Sequence, residues 1–240
     1  MDVRWMTVFL DSPVRVAEGF WLGVTGASLS RRRGAGGEFA TLVPRDGDAY
    51  VRVQVVGDPP ARSHLDLHVD DVRAVAGVAV SLGARVVRAE EGLIVLRSPA
   101  GLLFCLVGWR GEARLPAPVR WPGGQLSLVD QVSVDLPDAA YEVEVGFWEG
   151  LTGWSRRPTG LPEFEHFQRG PGMPLRLLFQ RLGSGAARMH VDLACDDVDA
   201  EVVRHRALGA VVVRRVVGEW TTLRDPAGRE YCVTARSPLR

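Results

Sequence analysis

Two histidines recur in one motif, at His64 and His190, and a neutral imidazole is a good ligand for zinc, iron or nickel. Around His64 the run HLDLHVD alternates, so His64, Asp66 and His68 share one strand face and Leu65, Leu67 and Val69 the other. The aliphatic face is expected to meet a helix, which turns the histidines toward a cleft. Gln54 and Gln180 stand at matching places on the preceding strands, and each could lend an amide oxygen. Cys105 and Cys232 recur near the end of each half. They read as small buried hydrophobes or as sulfur donors, and a reactive thiol would need a pKa depressed by nearby cations. Glu230 lies two residues before Cys232 and shares its face, whereas its counterpart Leu103 cannot coordinate. If either half binds a metal, His190, Gln180 and Glu230 are the candidate donors, and the second half is the better site. The plainer alternatives are hydrogen bonds from the histidines to Gln54 and Gln180, and an exposed Glu230 paired with arginine.

These residues recur because the chain is duplicated. Residues 64–88 align without a gap on 190–214, with 13 of 25 positions identical, and Pro99-Ala100-Gly101 and Cys105 meet Pro226-Ala227-Gly228 and Cys232. Upstream, Gly19-Phe20-Trp21 with Gly23, Thr25 and Gly26 returns as Gly146-Phe147-Trp148 with Gly150, Thr152 and Gly153. A repeat of half the chain points to two similar domains and two similar sites.

The elements that must hold the sites follow from periodicity. After the strand at His64, Asp70-Asp71 supplies an N-cap, and Val72, Val75, Ala76, Ala79 and Val80 mark a helix that runs to Leu82 and stops at Gly83. The acidic pairs Asp70-Asp71 and Asp196-Asp197 are capping residues on this reading, not a catalytic carboxylate pair. Strands at Val86–Val87, Leu93–Leu96 and Leu102–Val107 complete a β-α-β-β-β unit. The first part of each half repeats that order less regularly, with strands near 4–10, 39–43 and 49–55, then 131–136, 164–168 and 175–181. The helix between ends around Gly23–Gly26 in one half and spans about 140–151 in the other. The stretch 108–124, rich in proline and glycine, has neither period. The expected organisation is a first domain at 1–110 (modules 1–56 and 57–110), a linker at 111–126, and a second domain at 127–240 (modules 127–184 and 185–240).

Phe20-Trp21 and Phe147-Trp148 should anchor helix to sheet, while Trp5 and Trp154 are candidates to wall a small-molecule pocket. His205, beside Arg204 and Arg206, and His166, in EFEHF, are expected at the surface. Net charge is zero, with 29 basic and 29 acidic residues interspersed, so the footprint of a nucleic-acid or membrane-surface binder is missing. Every basic residue is arginine, which reads as codon bias. Three cysteines without a CxxC pair, and an N-terminus without a signal-peptide pattern, suit a cytoplasmic protein. There is no GxGxxG, P-loop, GxSxG or HExxH motif.

The run HxDLxVDD, the helix ending LGA, DPAGREYCV at 225–233, VGFWEGLTGW at 145–154 and LLFQR at 177–181 resemble the glyoxalase-like branch of the vicinal oxygen chelate superfamily. That branch includes the bleomycin resistance and dioxygenase proteins. The resemblance implies an α+β fold of four βαβββ modules paired into two glyoxalase-like domains with open-barrel clefts. It also implies a divalent metal (Zn, Fe, Mn or Ni) in the cleft, bound by His, Glu or Gln on first and last strands. His64 and His190 map onto one such ligand, but the usual closing glutamate is replaced by Cys105 and Cys232, and the first-strand positions map to Trp5 and Val132. Three readings follow. The favoured one is a small-molecule binder without the full metal site, its pocket drawing on Trp5, Gln54, His64, His68, Trp154, Gln180 and His190. The second is a metal-dependent lyase, isomerase or dioxygenase. The third is a non-catalytic pseudo-dimer. A homodimer is compatible with all three.

Overall fold

The computed structural model describes residues 2–239. Four βαβββ modules follow one another. The first comprises β1 (Val3–Ser12), α1 (Glu18–Thr25), β2 (Ser28–Leu29), β3 (Phe39–Val43) and β4 (Val51–Val55), and the second β5 (Arg62–Val69), α2 (Val72–Ser81), β6 (Arg85–Glu90), β7 (Leu93–Arg97) and β8 (Leu103–Gly108). After a two-residue strand β9 (Val119–Arg120), the third comprises β10 (Leu126–Leu136), α3 (Asp138–Thr152), β11 (Arg156–Pro158), β12 (Phe164–Phe167) and β13 (Arg176–Arg181). The fourth is β14 (Arg188–Cys195), α4 (Val198–Ala207), β15 (Val211–Val216), β16 (Trp220–Arg224) and β17 (Glu230–Thr234). The first two modules share one sheet, ordered β2-β3-β4-β1-β5-β8-β7-β6, and the last two share another, ordered β11-β12-β13-β10-β14-β17-β16-β15. Neither sheet closes on itself. The stretch read as structureless linker contains β9, which pairs antiparallel with β10 through Arg120–Leu126 and Val119–Ser127. No helix among the described residues is long and apolar enough to cross a membrane.

The helices begin where expected. Oδ1 of Asp71 accepts from the Ala74 amide and Oδ1 of Asp197 from the Ala200 amide, each at 2.9 Å. The first strands are buried on both faces: Leu65, Leu67 and Val69 are fully enclosed, and His64, Asp66 and His68 are nearly so.

The chain divides into two compact units, one of residues 1–8, 64–114 and 132–189, the other of 9–63, 115–131 and 190–240. In the first unit, Phe104 packs edge-on against Phe147 and Trp148 of α3, with centroids 5.7 and 5.3 Å apart. Trp148 is fully buried, so its indole N–H needs an acceptor. Glu144, one turn back on α3, supplies it: Oε1 accepts from Trp148 Nε1 at 2.7 Å and Oε2 from the Ala100 amide at 2.7 Å. In the second unit, Trp21 of α1 donates to Asp225 Oδ2 at 2.8 Å, and Asp225 Oδ1 accepts from the Ala227 amide at 2.9 Å. The repeat aligns Ala17 with Glu144 and Asp225 with Ser98. The same two donors are thus satisfied in both units, once from the helix and once from the turn. Asp225 also pairs with buried Arg229 at 2.6 Å.

The repeated glycines within the helices mark close approaches. A Cβ on Gly23 of α1 would lie 2.8 Å from Leu208 at the end of α4, and one on Gly150 of α3 would lie 3.0 Å from Leu82 at the end of α2.

His205 is the clearest departure from expectation: it is wholly buried. The inward stripe of α4 is polar, Glu201 and His205 one turn apart, which a search for apolar periodicity cannot find. His205 Nδ1 lies 2.9 Å from the Tyr231 hydroxyl and Nε2 lies 3.1 Å from Glu201 Oε1. Glu201 also accepts from Ser127 Oγ at 2.6 Å and from Arg204 Nε at 2.9 Å. Arg204 donates onward to the carbonyls of Gly23 and Val24 at 2.7 and 3.1 Å, closing the C-terminal end of α1. His166 is half-buried on β12, where burial, with help from Arg176 and Arg157, lowers its pKa.

Two predictions follow from these buried carboxylates. Glu144→Ala strands the buried Trp148 indole N–H and the part-buried Ala100 amide and should cost about 3 kcal/mol in a denaturant titration. Adding Ser98→Asp, which moves the carboxylate to the place Asp225 occupies, should recover part of that loss, and a double variant no better than Glu144→Ala would contradict the equivalence. For Glu201, burial works to raise the pKa, but hydrogen bonds from Arg204, His205 and Ser127 win and hold it well below the ordinary carboxylate range. Its contribution is therefore complete above the unfolded-state pKa near 4.5 and is lost as pH falls toward the lowered folded value. Glu201→Gln should destabilise at pH 7 by about 3 kcal/mol and flatten the fall in stability below pH 4.5, measured as unfolding free energy against pH.

Candidate functional site

The first and last strands of the second and fourth modules run side by side in parallel. That register sets Asp66 opposite Cys105 and Asp192 opposite Cys232. His64 and His190 stand two residues earlier, on the same face as the aspartate. Two equivalent clusters result, His64–Asp66–Cys105 and His190–Asp192–Cys232, with one ligand atom from each residue within 4.8 Å of the others.

In the second cluster His190 Nε2 lies 3.2 Å from Asp192 Oδ1 and 3.7 Å from Cys232 Sγ. Both partners converge on one nitrogen. A nucleophilic relay would place thiol and carboxylate on opposite imidazole nitrogens, so this arrangement is not a relay. Its spacing is one that could hold a metal ion. With zinc bonds of about 2.0 Å to N and O and about 2.3 Å to S, the edges of a tetrahedron would be about 3.3 Å for N···O and about 3.6 Å for N···S. The observed separations match both. In the first cluster the His64 Nε2 to Asp66 Oδ1 distance is 3.6 Å. Burial pushes the Cys105 thiol up to about 11, against a lowering hydrogen bond from His64, so this thiol is not an activated nucleophile. Both histidine side chains keep a partly open edge, 11% exposed at His64 and 14% at His190, while the aspartates are closed off.

The clusters differ in their support. Gln131 of β10 donates from Nε2 to Asp192 Oδ2 at 2.6 Å, and Thr222 Oγ1 lies 3.4 Å from Cys232 Sγ. The equivalent of Gln131 is Thr7. Counting back four residues from Asp135 and from Asp11, which precede Pro137 and Pro13 by two, reaches Gln131 and Thr7. The aspartates themselves make matching contacts, Asp135 to Arg188 at 2.8 Å and Asp11 to Arg62 at 3.8 Å. Thr7 Oγ1 lies 2.9 Å from His68 Nε2, and His68 Nδ1 is 3.4 Å from Glu112 Oε1. His68 is thereby committed to a buried contact that ties down the start of the linker.

The pairing of Trp5 with Val132 as first-strand positions therefore needs correction. That pairing keeps the spacing of the Gly-Phe-Trp repeat, but the helix between is longer in the third module, 15 residues in α3 against 8 in α1. On the strands themselves Gln131, able to hydrogen-bond, faces the second cluster, and Trp5 and Val132 are fully buried apolar residues. Trp154 is buried just beyond α3, with its amide donating to Thr152 Oγ1 at 3.2 Å. Gln54 lies on β4 opposite Phe39, and Gln180 on β13 opposite Phe164. Gln180 belongs to the first compact unit, whereas His190 and Glu230 belong to the second. Glu230 pairs with Arg224 at 2.8 Å. The carboxylates that do join the histidines, Asp66 and Asp192, were visible in the sequence as a conserved feature of the repeat with the same strand parity. A largely apolar hollow in the second unit, lined by Val24, Leu42, Tyr50 and Leu193 among others, meets β14 on the face opposite His190 and Asp192.

Comparison with known proteins agrees with this architecture. A family model described as a glyoxalase-like domain matches twice, over residues 7–107 and 131–234. No curated protein matches the sequence. Among solved structures, the Mn(II)-bound glyoxalase from Novosphingobium aromaticivorans is similar, with 15% identity and a TM-score of 0.63 over 97% of this chain and 81% of that one. The 2,2',3-trihydroxybiphenyl 1,2-dioxygenase from Sphingomonas wittichii strain RW1 gives 18% identity and 0.63 over 95% and 88%. Homoprotocatechuate 2,3-dioxygenase from Arthrobacter globiformis gives 14% and 0.64 over 98% and 79%. At these identities the structural likeness speaks for fold. With both halves matched and the module order seen directly, the chain belongs to the glyoxalase-like domain family, as a tandem member of the vicinal oxygen chelate superfamily.

Proposed function

We propose that the protein is a divalent-metal-dependent enzyme of the lyase or isomerase type, acting on a small oxygen-bearing organic molecule. The observation that carries this reading is the convergence of Asp192 Oδ1 and Cys232 Sγ on the single atom Nε2 of His190, repeated as a His–Asp–Cys cluster in the first half. Zinc suits this mixed N, O and S set better than iron or manganese do. His190, Asp192 and Cys232 would hold the ion, and a metal with three protein donors supplies Lewis-acid polarisation at a remaining open position. Ring-cleaving chemistry of the two-His-one-carboxylate kind fits less well, because each cluster offers one histidine. His68 is occupied with Thr7 and Glu112, and His205 with Tyr231 and Glu201. The protein's own part is to present the partly open imidazole edge to a substrate while keeping carboxylate and thiol dry.

A metal-independent binding role is the second reading. It is favoured by the elevated Cys105 thiol pKa, since a protonated thiol beside His64 is satisfied by hydrogen bonding alone. Zinc titration of the purified chain separates the two. Two ions per chain are expected, with His64→Ala and His190→Ala each removing one and Cys232→Ser weakening the second by at least tenfold. Absence of zinc binding, with small organic molecules still bound, would replace the metal reading by the second.

A further inference from the structure

We propose that β6 is a self-recognition edge, through which two copies of the chain pair antiparallel about a two-fold axis at Ala89. A strand at the end of a sheet offers a row of backbone N–H and C=O groups to any further strand, and folded proteins normally blunt such edges. The two sheets end in β2 and β6, and in β11 and β15. Three of these four ends are blunted. β2 has two residues, and β11 has three and closes on Pro158. β15 bears Arg214 and Arg215 with no acidic residue, so two copies of it would bring like charges together.

β6, with the sequence RVVRAE, carries both signs of charge. All six of its residues are exposed, Val86 and Val87 by just over half. Arg88 and Glu90 are two residues apart, share one strand face and form an ion pair within the chain. Antiparallel pairing centred on Ala89 sets Arg88 opposite Glu90 of the second copy, and Glu90 opposite Arg88 of that copy. The small side chain of Ala89 meets its own equivalent at the axis. Two ion pairs then close into a ring of four alternating charges, the arrangement that favours cross-strand pairing. The interface is isologous, so it stops at two copies. The register shift between Val86 and Arg88 against β7 marks a bulge. It confines regular pairing to residues 88–90 and leaves the exposed valines flanking it. So short a contact lies below the area of a standard interface, and the dimer is weak, with a dissociation constant on the order of 10⁻⁵ to 10⁻⁴ M.

The test is sedimentation of the chain at low ionic strength, where exposed charges are least screened, from about 1 µM to about 1 mM. A concentration-dependent monomer–dimer equilibrium is expected. Arg88→Glu and Glu90→Arg should each weaken it about tenfold or more, because two attractive pairs become repulsive. An equimolar mixture of the two variants should associate as well as the wild type, since a chain with two acids there meets a chain with two arginines. Arg214→Glu on β15 should leave the dimer unchanged. All three substitutions lie on exposed strand residues, and unchanged thermal unfolding checks that each variant is folded. A monomer at every concentration, a dimer that survives both reversals, or a mixture that stays monomeric overturns the proposal.

Discussion

The parallel pairing of the first and last strands within a module is the constraint on which the site depends. Strands β5 and β8, and likewise β14 and β17, are joined by a helix and two antiparallel strands, so their residues are distant in sequence and fixed opposite one another in register. A side-chain period of two then does the rest. His and Asp at i and i+2 share a face, and a cysteine opposite the aspartate completes a three-donor set without any loop. A slip of one residue in either pairing would send every donor to the other side. The hydrophobic residues that alternate with the donors, Leu65 and Leu67 in one copy and Val191 and Leu193 in the other, prevent that slip by being fully enclosed.

Much of this was legible in the amino-acid sequence. The capping aspartates, the helices they start and the four-module order all follow from periodicity and from the repeat. So did the shared face of His64, Asp66 and His68. Three things were not legible, each for a physical reason. The burial of His205 rests on a polar stripe, Glu201 and His205, whose partners Ser127 and Tyr231 lie far away in sequence. The placement of Gln131 against Asp192 was hidden because an extra helical turn in α3 shifts strand equivalence relative to helix equivalence. The closeness of Asp66 and Asp192 to the histidines was present in the pattern, but the family expectation of a carboxylate on the last strand drew attention to Glu230. Glu230 proved to be paired with Arg224.

Duplication allows the physical requirement to be separated from the residue that meets it. A buried indole N–H and a turn amide need a carboxylate in each unit. Glu144 of α3 gives it in one and Asp225 of the turn in the other, and the complementary positions are Ser98 and Ala17. Neither copy has both and neither lacks both. The geometry demands an acceptor at one point in space and is indifferent to which element brings it there.

The same logic applies to the two His–Asp–Cys clusters. A cysteine stands at the last-strand position where the family resemblance expects an acidic donor, and an aspartate directly opposite, on the adjoining strand, presents its oxygen to the same imidazole nitrogen. Measured from His190 Nε2, the acidic group has moved across one strand without leaving the site. Reading ligands by position along the chain finds such a site depleted, whereas reading them by distance from the imidazole finds three donors. The difference between the copies then lies one layer out, where Gln131 grips a carboxylate and Thr7 grips an imidazole. Two modules with one ancestral pattern can in this way keep the same three residues together while surrounding them with different neighbours, because the strand register fixes the cluster and the adjoining strand varies.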